Sequence, residues 1–244
     1  MKTAFIYIVI ALFSSASCSE PFYYFIPPSN WKVIAPEKLS RSIKIAFVAS
    51  SKKAFKPSLN LGVEKVDVSL DEYIIAVKKQ HTSNRKNRWH EVGFLNTLAG
   101  KAHLSQIDTK AEYGDIRSMQ SILVQDGYAY VITAVTLRDD FLNYHNEFIK
   151  AFESFSISKD SLSSLSSSVL KSCYTKKTEE LLQSFHKLLA SNNTAQEAFE
   201  SSLFKKKHWK SFEKYLSQTF KDQGVFWQVM ASKEIKTNLI ASRD

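Results

Sequence analysis

The sequence predicts an α+β fold: a mostly antiparallel sheet with helices packed on it, followed by an all-helical C-terminal extension. Three observations carry this reading. Asp126-Gly127 joins two β-prone runs, 118–125 and 128–136, which is the strongest short-range hairpin signal a sequence offers. Strand-like and helix-like segments are interspersed up to residue 155, and a tight hairpin among them fits α+β layers better than a doubly wound sheet. Past a serine-rich stretch at 156–172, the apolar residues repeat at helical spacing.

Residues 1–17 read as a signal peptide. Lys2 supplies a positive start, 4–13 (AFIYIVIALF) is uninterrupted and apolar, and 14–17 are the small residues that a signal peptidase needs. The run is shorter than the ~20 residues of a membrane-spanning helix. Cys18 follows where a bacterial lipoprotein carries its lipidated cysteine. Ala16 and Ser17 suit that role, whereas Ser15 departs from the branched apolar residue usual there. The alternative is ordinary cleavage, which leaves Cys18 free to pair with Cys173, as export permits. The expected location is the periplasm or cell envelope, with a lipid anchor through Cys18 as one of the two routes.

All five prolines lie in the first quarter of the chain, among extended segments and turns. Residues 22–26 form an aromatic strand stopped by Pro27-Pro28. Residues 43–49 alternate through Ile43, Ile45 and Phe47, and 61–68 form another strand. Ser69 is a helix N-cap with Asp71 and Glu72 in the first turn, and Leu70, Tyr73, Ile74 and Val77 give that helix one buried stripe. Strands at 89–95 and 102–108 precede the hairpin. Asp139-Asp140 open a second helix with Phe141, Phe148, Phe152 and Phe155 near one face.

The expected domain organisation is a core at 18–157, a serine-rich linker at 158–174 and a helical extension at 175–244. In the extension, Leu181, Leu182, Phe185, Leu188 and Leu189 make an amphipathic stripe, and Thr194 caps the next helix after a break at Asn192-Asn193. The same three residues match a glycosylation sequon, which matters only in a eukaryotic secretory route.

Over roughly 22–157 the chain resembles the PsbP/Mog-like superfamily, of bacterial envelope type. The residues that carry the resemblance are Phe25-Ile26-Pro27 with Trp31, Ala46-Phe47, and Leu59-Asn60-Leu61 running through Val66 to Leu70 and Tyr73. Gly100-Lys101-Ala102, the hairpin 120–133 and Glu153-Ser154-Phe155 complete the order. The resemblance implies an antiparallel sheet sandwiched between helices, an α/β/α scaffold used for binding, with no catalytic motif to transfer. It does not cover the tail.

Composition agrees with a globular chain, at 44% hydrophobic and 13% aromatic residues. The formal charge of +9 would suggest nucleic acid in a cytosolic protein, but export argues against that and points to anionic lipid, an envelope polyanion or an acidic partner. Two cysteines exclude a disulfide-dense scaffold. The six histidines lack zinc spacing; His90-Glu91 starts a zincin pattern that Phe94 breaks. Cys173 with His186 is the one conceivable nucleophile pair, and no third residue supports it. Asp139-Asp140 and Glu179-Glu180 read as capping carboxylates at helix starts. No catalytic residue, metal or cofactor is expected.

Two basic segments remain. Lys78, Lys79, Arg85, Lys86 and Arg88 run into Trp89, and Lys205, Lys206 and Lys207 precede Trp209 and Lys210. Lysines beside a tryptophan suit an anionic headgroup surface, and the competing reading is a solvated loop and a solvated helix face. The expected function is a non-enzymatic exported envelope protein acting as a partner-binding or assembly factor. The alternatives are a chaperone that shields an apolar segment of a secreted client, and a hydrolase with an unrecognised site.

Overall fold

A computed structural model describes residues 20–35, 38–40, 42–51, 53–112, 114–190 and 194–241. The signal segment, Cys18 and the two asparagines of the sequon lie outside them. The chain divides into two compact units, Pro27–Ser154 and Ser19–Ile26 with Phe155–Asp244.

The first unit is built on a seven-stranded sheet. Its strands are β2 (Lys32–Val33), β3 (Ile43–Val48), β4 (Ser58–Lys65), β5 (Asn87–Thr97), β6 (Gly100–Ala111), β7 (Gly114–Gln125) and β8 (Tyr128–Leu137). They lie in the order β2-β3-β4-β8-β7-β6-β5, and each neighbouring pair is antiparallel. The β7–β8 turn has positive φ at both Asp126 and Gly127, as a two-residue hairpin turn of matching twist requires.

Helix α1 (Leu70–Thr82) connects β4 to the edge strand β5 and so crosses one face of the sheet. Its start is fixed locally. The Ser69 hydroxyl accepts from the Glu72 amide while the Glu72 carboxylate accepts from the Ser69 amide, a complete capping box. Tyr73 packs on Ile122, Ala129 and Val131, with Val66, Leu70 and Val77 around them. Helix α2 (Phe141–Glu153) buries Phe141, Phe148, Ala151 and Phe152, and Trp31 meets Tyr144 and Phe148 edge-on. The unit is thus an α/β/α sandwich. Asp140 makes no cap hydrogen bond at the start of α2, contrary to the capping expected of it. Its carboxylate accepts instead from Lys53 Nζ at 2.6 Å.

The second unit holds β1 (Phe22–Tyr24) paired with β9 (Ser156–Ser158), and the helices α3 (Ser168–Leu189), α4 (Ala195–Glu200), α5 (Lys210–Thr219) and α6 (Gly224–Ala241). A π-helical turn at Phe204–Trp209 joins α4 to α5. Its core is aromatic: Phe185, Phe199 and Phe204 interlock, Phe25 meets Phe226, and Phe220 stacks on Trp227.

Three expectations are corrected here. The aromatic strand at 22–24 is not part of the first unit, because its ladder runs to β9. The serine-rich 158–174 is not a linker. Leu165 and Ser161 are buried, α3 begins at Ser168, Ser161 Oγ lies 2.7 Å from Tyr174 OH, and Trp227 Nε1 donates to Ser164 Oγ at 2.7 Å. A serine hydroxyl can be buried when it finds a partner, as Ser161 does in Tyr174, while Ser163, Ser166, Ser168 and Ser172 stay exposed. Glu179-Glu180 sit inside α3 rather than at its start, where Glu180 pairs with Lys177 at 2.8 Å.

Candidate functional site

Side chains alternate across a strand, so the register decides which residues share a face. Asn60 pairs with Thr133, and Thr133 with Gln120, in one row across β4, β8 and β7. The row Ser58–Val135–Ser118 flanks it on one side and Gly62–Val131–Ile122 on the other. Helix α1 covers this face through Tyr73 and Val77, where the sheet offers apolar partners. Over the polar rows it leaves a cavity of about 560 Å³. Ile34, Ile43, Val48 and Phe55 line it together with these rows, and His81, Asn84 and Asn87 belong to its lining where α1 passes into β5.

The floor is neutral. Gln120 is 1% exposed; its Nε2 donates to Thr133 Oγ1 at 3.4 Å, and Oε1 is buried without a well-formed hydrogen bond. The His81 ring feels this amide, which favours its protonated form, but burial is the larger influence and holds its pKa below the usual histidine value. Glu64 lies at the margin and accepts from Tyr73 OH. Burial raises its carboxyl pKa, and the tyrosine bond works against that. Among the described residues no hydroxyl of the lining hydrogen-bonds to His81, and no group of three or more His, Cys, Asp or Glu side chains is placed to hold a metal ion. The arrangement can bind, through an apolar wall and a row of neutral donors and acceptors.

The residues picked out by sequence are elsewhere. Cys173 and His186 share α3, 13 positions apart by number and so about 20 Å along its axis, which dissolves the nucleophile pair. Arg85, Lys86 and Arg88 are exposed, and Lys79 is exposed on α1. Lys78 reaches Glu91 at 3.5 Å. Trp89 does not join them at the surface: its ring lies between His81 and His103, stacked on the latter at 6.4 Å, with the indole N–H out of water. In the second unit Lys205 and Lys210 line a cavity, with Lys205 paired to Glu200, while Lys206 and Lys207 are exposed outside its lining. The floor residues Asn60, Gln120 and Thr133 escaped the sequence reading. Their signal is a polar residue at inward positions of β-prone strands, and it becomes legible only with the register.

No family model matches the chain, and no curated protein matches it. Among solved structures it is similar to LpqN of Mycobacterium tuberculosis, described as involved in cell envelope biogenesis. That match has 12% identity and a TM-score of 0.45, and covers 57% of this chain and 84% of that one. It is similar to the cyanobacterial PsbP (CyanoP) of Synechocystis sp. PCC 6803 at 11% identity and TM-score 0.42, covering 56% and 86%. It is also similar to PA94 of Pseudomonas aeruginosa, a protein of unknown function, at 13% identity and TM-score 0.42, covering 52% and 96%. Likenesses at this level carry no argument about ligand or activity. Among the described residues no helix is long and apolar enough to cross a membrane.

Proposed function

We propose that the chain is a non-enzymatic binding protein, exported to the cell envelope, and that the cavity of the first unit receives an extended apolar segment of a partner or client protein. One observation carries the reading: the in-register row Asn60–Thr133–Gln120 on the floor of a cavity that has an apolar wall of Ile34, Ile43, Val48 and Phe55. Each of these side chains both donates and accepts, as the peptide amides of a bound segment do. The volume lies within the ~300–1,000 Å³ typical of ligand sites. The signal-peptide pattern of the first seventeen residues supports the envelope location.

The test is site-specific photocrosslinking in envelope fractions. A photoreactive residue at Val48, which lines the cavity, should capture a discrete protein species, and Gln120→Leu with Thr133→Val should weaken that capture. The same residue at exposed Leu142 on α2 serves as the control. Equal capture from both positions, or none from Val48, would overturn the assignment.

A further inference from the structure

The second unit has a cavity of its own, of about 680 Å³. One wall is a stripe of α6: Val225, Gln228, Val229, Ser232, Lys233 and Lys236, at spacings that share one helical face. The facing wall comes from the π-helical turn and α5, through Lys205, Trp209, Lys210, Glu213 and Leu216, with Phe199 of α4 beside them. A π turn adds a residue to the helical circuit. Here it allows Lys205 and Trp209 to line the same hollow as Glu213 and Leu216 of the next helix.

The charge is lopsided. Lys205, Lys210, Lys233 and Lys236 line the cavity against the single carboxylate of Glu213. Glu200, outside the lining, pairs with Lys205 and also feels Lys236. Lys236 Nζ sits 4.9 Å from the centre of the Phe199 ring. Lys210 and Lys233 are exposed, and among the described residues neither has a carboxylate within ion-pair distance. Beneath the ammonium groups the surface is apolar, from Phe199, Trp209, Leu216, Val225 and Val229.

We propose that this cavity binds an organic phosphate monoester, its phosphate between Lys210 and Lys233 and its apolar part against Trp209 and Val229. A set made only of lysines presents point charges without the planar fork of arginine, and two such charges suit a compact dianion. A solvated basic face would account for lysines, but not for their place on both walls of a hollow lined by Phe199, Trp209, Leu216, Val225 and Val229.

The test is a titration of the full mature chain, ¹⁵N-labelled, with phenyl phosphate, benzyl alcohol and inorganic phosphate. Phenyl phosphate should shift the Trp209 indole and the α6 amides near Lys233 saturably, and more tightly than either fragment. K210Q/K233Q should weaken this roughly tenfold, the scale of two lost charge interactions. K206Q/K207Q removes the same charge from the same basic run outside the lining and should change the affinity less than about twofold. Phosphatidic acid vesicles, compared with phosphatidylcholine vesicles, distinguish a lipid headgroup from a free monoester as the source. Co-sedimentation that K210Q/K233Q abolishes assigns the former, and saturation by phenyl phosphate alone assigns the latter. Equal losses in the two double variants, or shifts that spare Trp209, would overturn the proposal. Its residues are all distinct from those of the first cavity, so either can fail alone.

Discussion

Arg117 forks onto Asp108. Its Nε donates to Oδ1 and its Nη2 to Oδ2, both at 2.7 Å, between residues that are direct register partners on β6 and β7. The guanidinium also lies 5.0 Å from the centre of the Phe141 ring, at the start of α2. Ile107, Ser118 and Thr109 alternate with this pair and line the cavity on the other face. The fork therefore joins β6 to β7, and the contact of the same guanidinium on Phe141 ties α2 to these two strands, which carry part of the floor.

Replacing Arg117 with Met should destabilise the fold by about 2 kcal/mol, since a fork between groups only 19% and 14% exposed is stronger than a surface pair. The Arg117 hydrogen bond holds the Asp108 carboxyl below its ordinary value, with burial opposing. A depressed carboxyl contributes stability that is fully present above the ordinary pKa of 3.8 and is lost as pH falls through the folded value. Urea melts should accordingly show the gap between wild type and Arg117→Met at pH 7 narrowing at pH 3. A gap that does not change with pH would mean the substitution acts through packing on Phe141.

His81 and His103 predict a separate acid sensitivity. Burial, the largest influence on each, holds both rings below the usual 6.5, although Gln120 and Glu91 respectively oppose it. The unfolded chain takes up protons below about pH 6.5 where the folded one does not. Stability is thus full above that pH and declines as the pH drops toward the folded values. His81→Gln should flatten the stability profile between pH 6.5 and 5.5. Glu64 and Glu234, raised by burial, act in the opposite sense, so the effect of His81 is read as the difference between wild type and His81→Gln at each pH.

What the sequence revealed was local. The Ser69 cap and the Asp126-Gly127 turn are each written within four residues, and both fold as read. The partner of β1 was not legible, because Phe22–Tyr24 finds its ladder at Ser156–Ser158, across the whole first unit. The floor of the cavity failed for the same reason: Asn60, Thr133 and Gln120 become neighbours only through two strand registers. The serine stretch misled because composition does not show which hydroxyls find partners, as Ser161 does in Tyr174 and Ser164 in Trp227.

That stretch gives a third prediction. Ser161→Val leaves the Tyr174 hydroxyl buried without its 2.7 Å partner, which should cost about 1–3 kcal/mol. The Ser161 amide also donates to Glu234 at 2.9 Å, so the backbone here is pinned to α6 as well. Limited proteolysis of the wild type should spare residues 158–167. Cutting there ahead of any other described segment would show that the hydroxyl network does not hold the stretch.

Gln120 separates stability from function. A buried carbonyl oxygen without a good hydrogen bond costs about 1–3 kcal/mol, so Gln120→Leu should stabilise the fold by about 1 kcal/mol if the amide is retained for a ligand. Together with Thr133→Val it removes the donors and acceptors at the centre of the floor while keeping side-chain volume close to native. The double variant should therefore melt at or above the wild-type temperature and yet lose capture from Val48. A substantial loss of stability in place of the gain would make the row a structural network of the sheet. The apolar wall from Ile34 to Phe55 would then be the part of the cavity that carries binding.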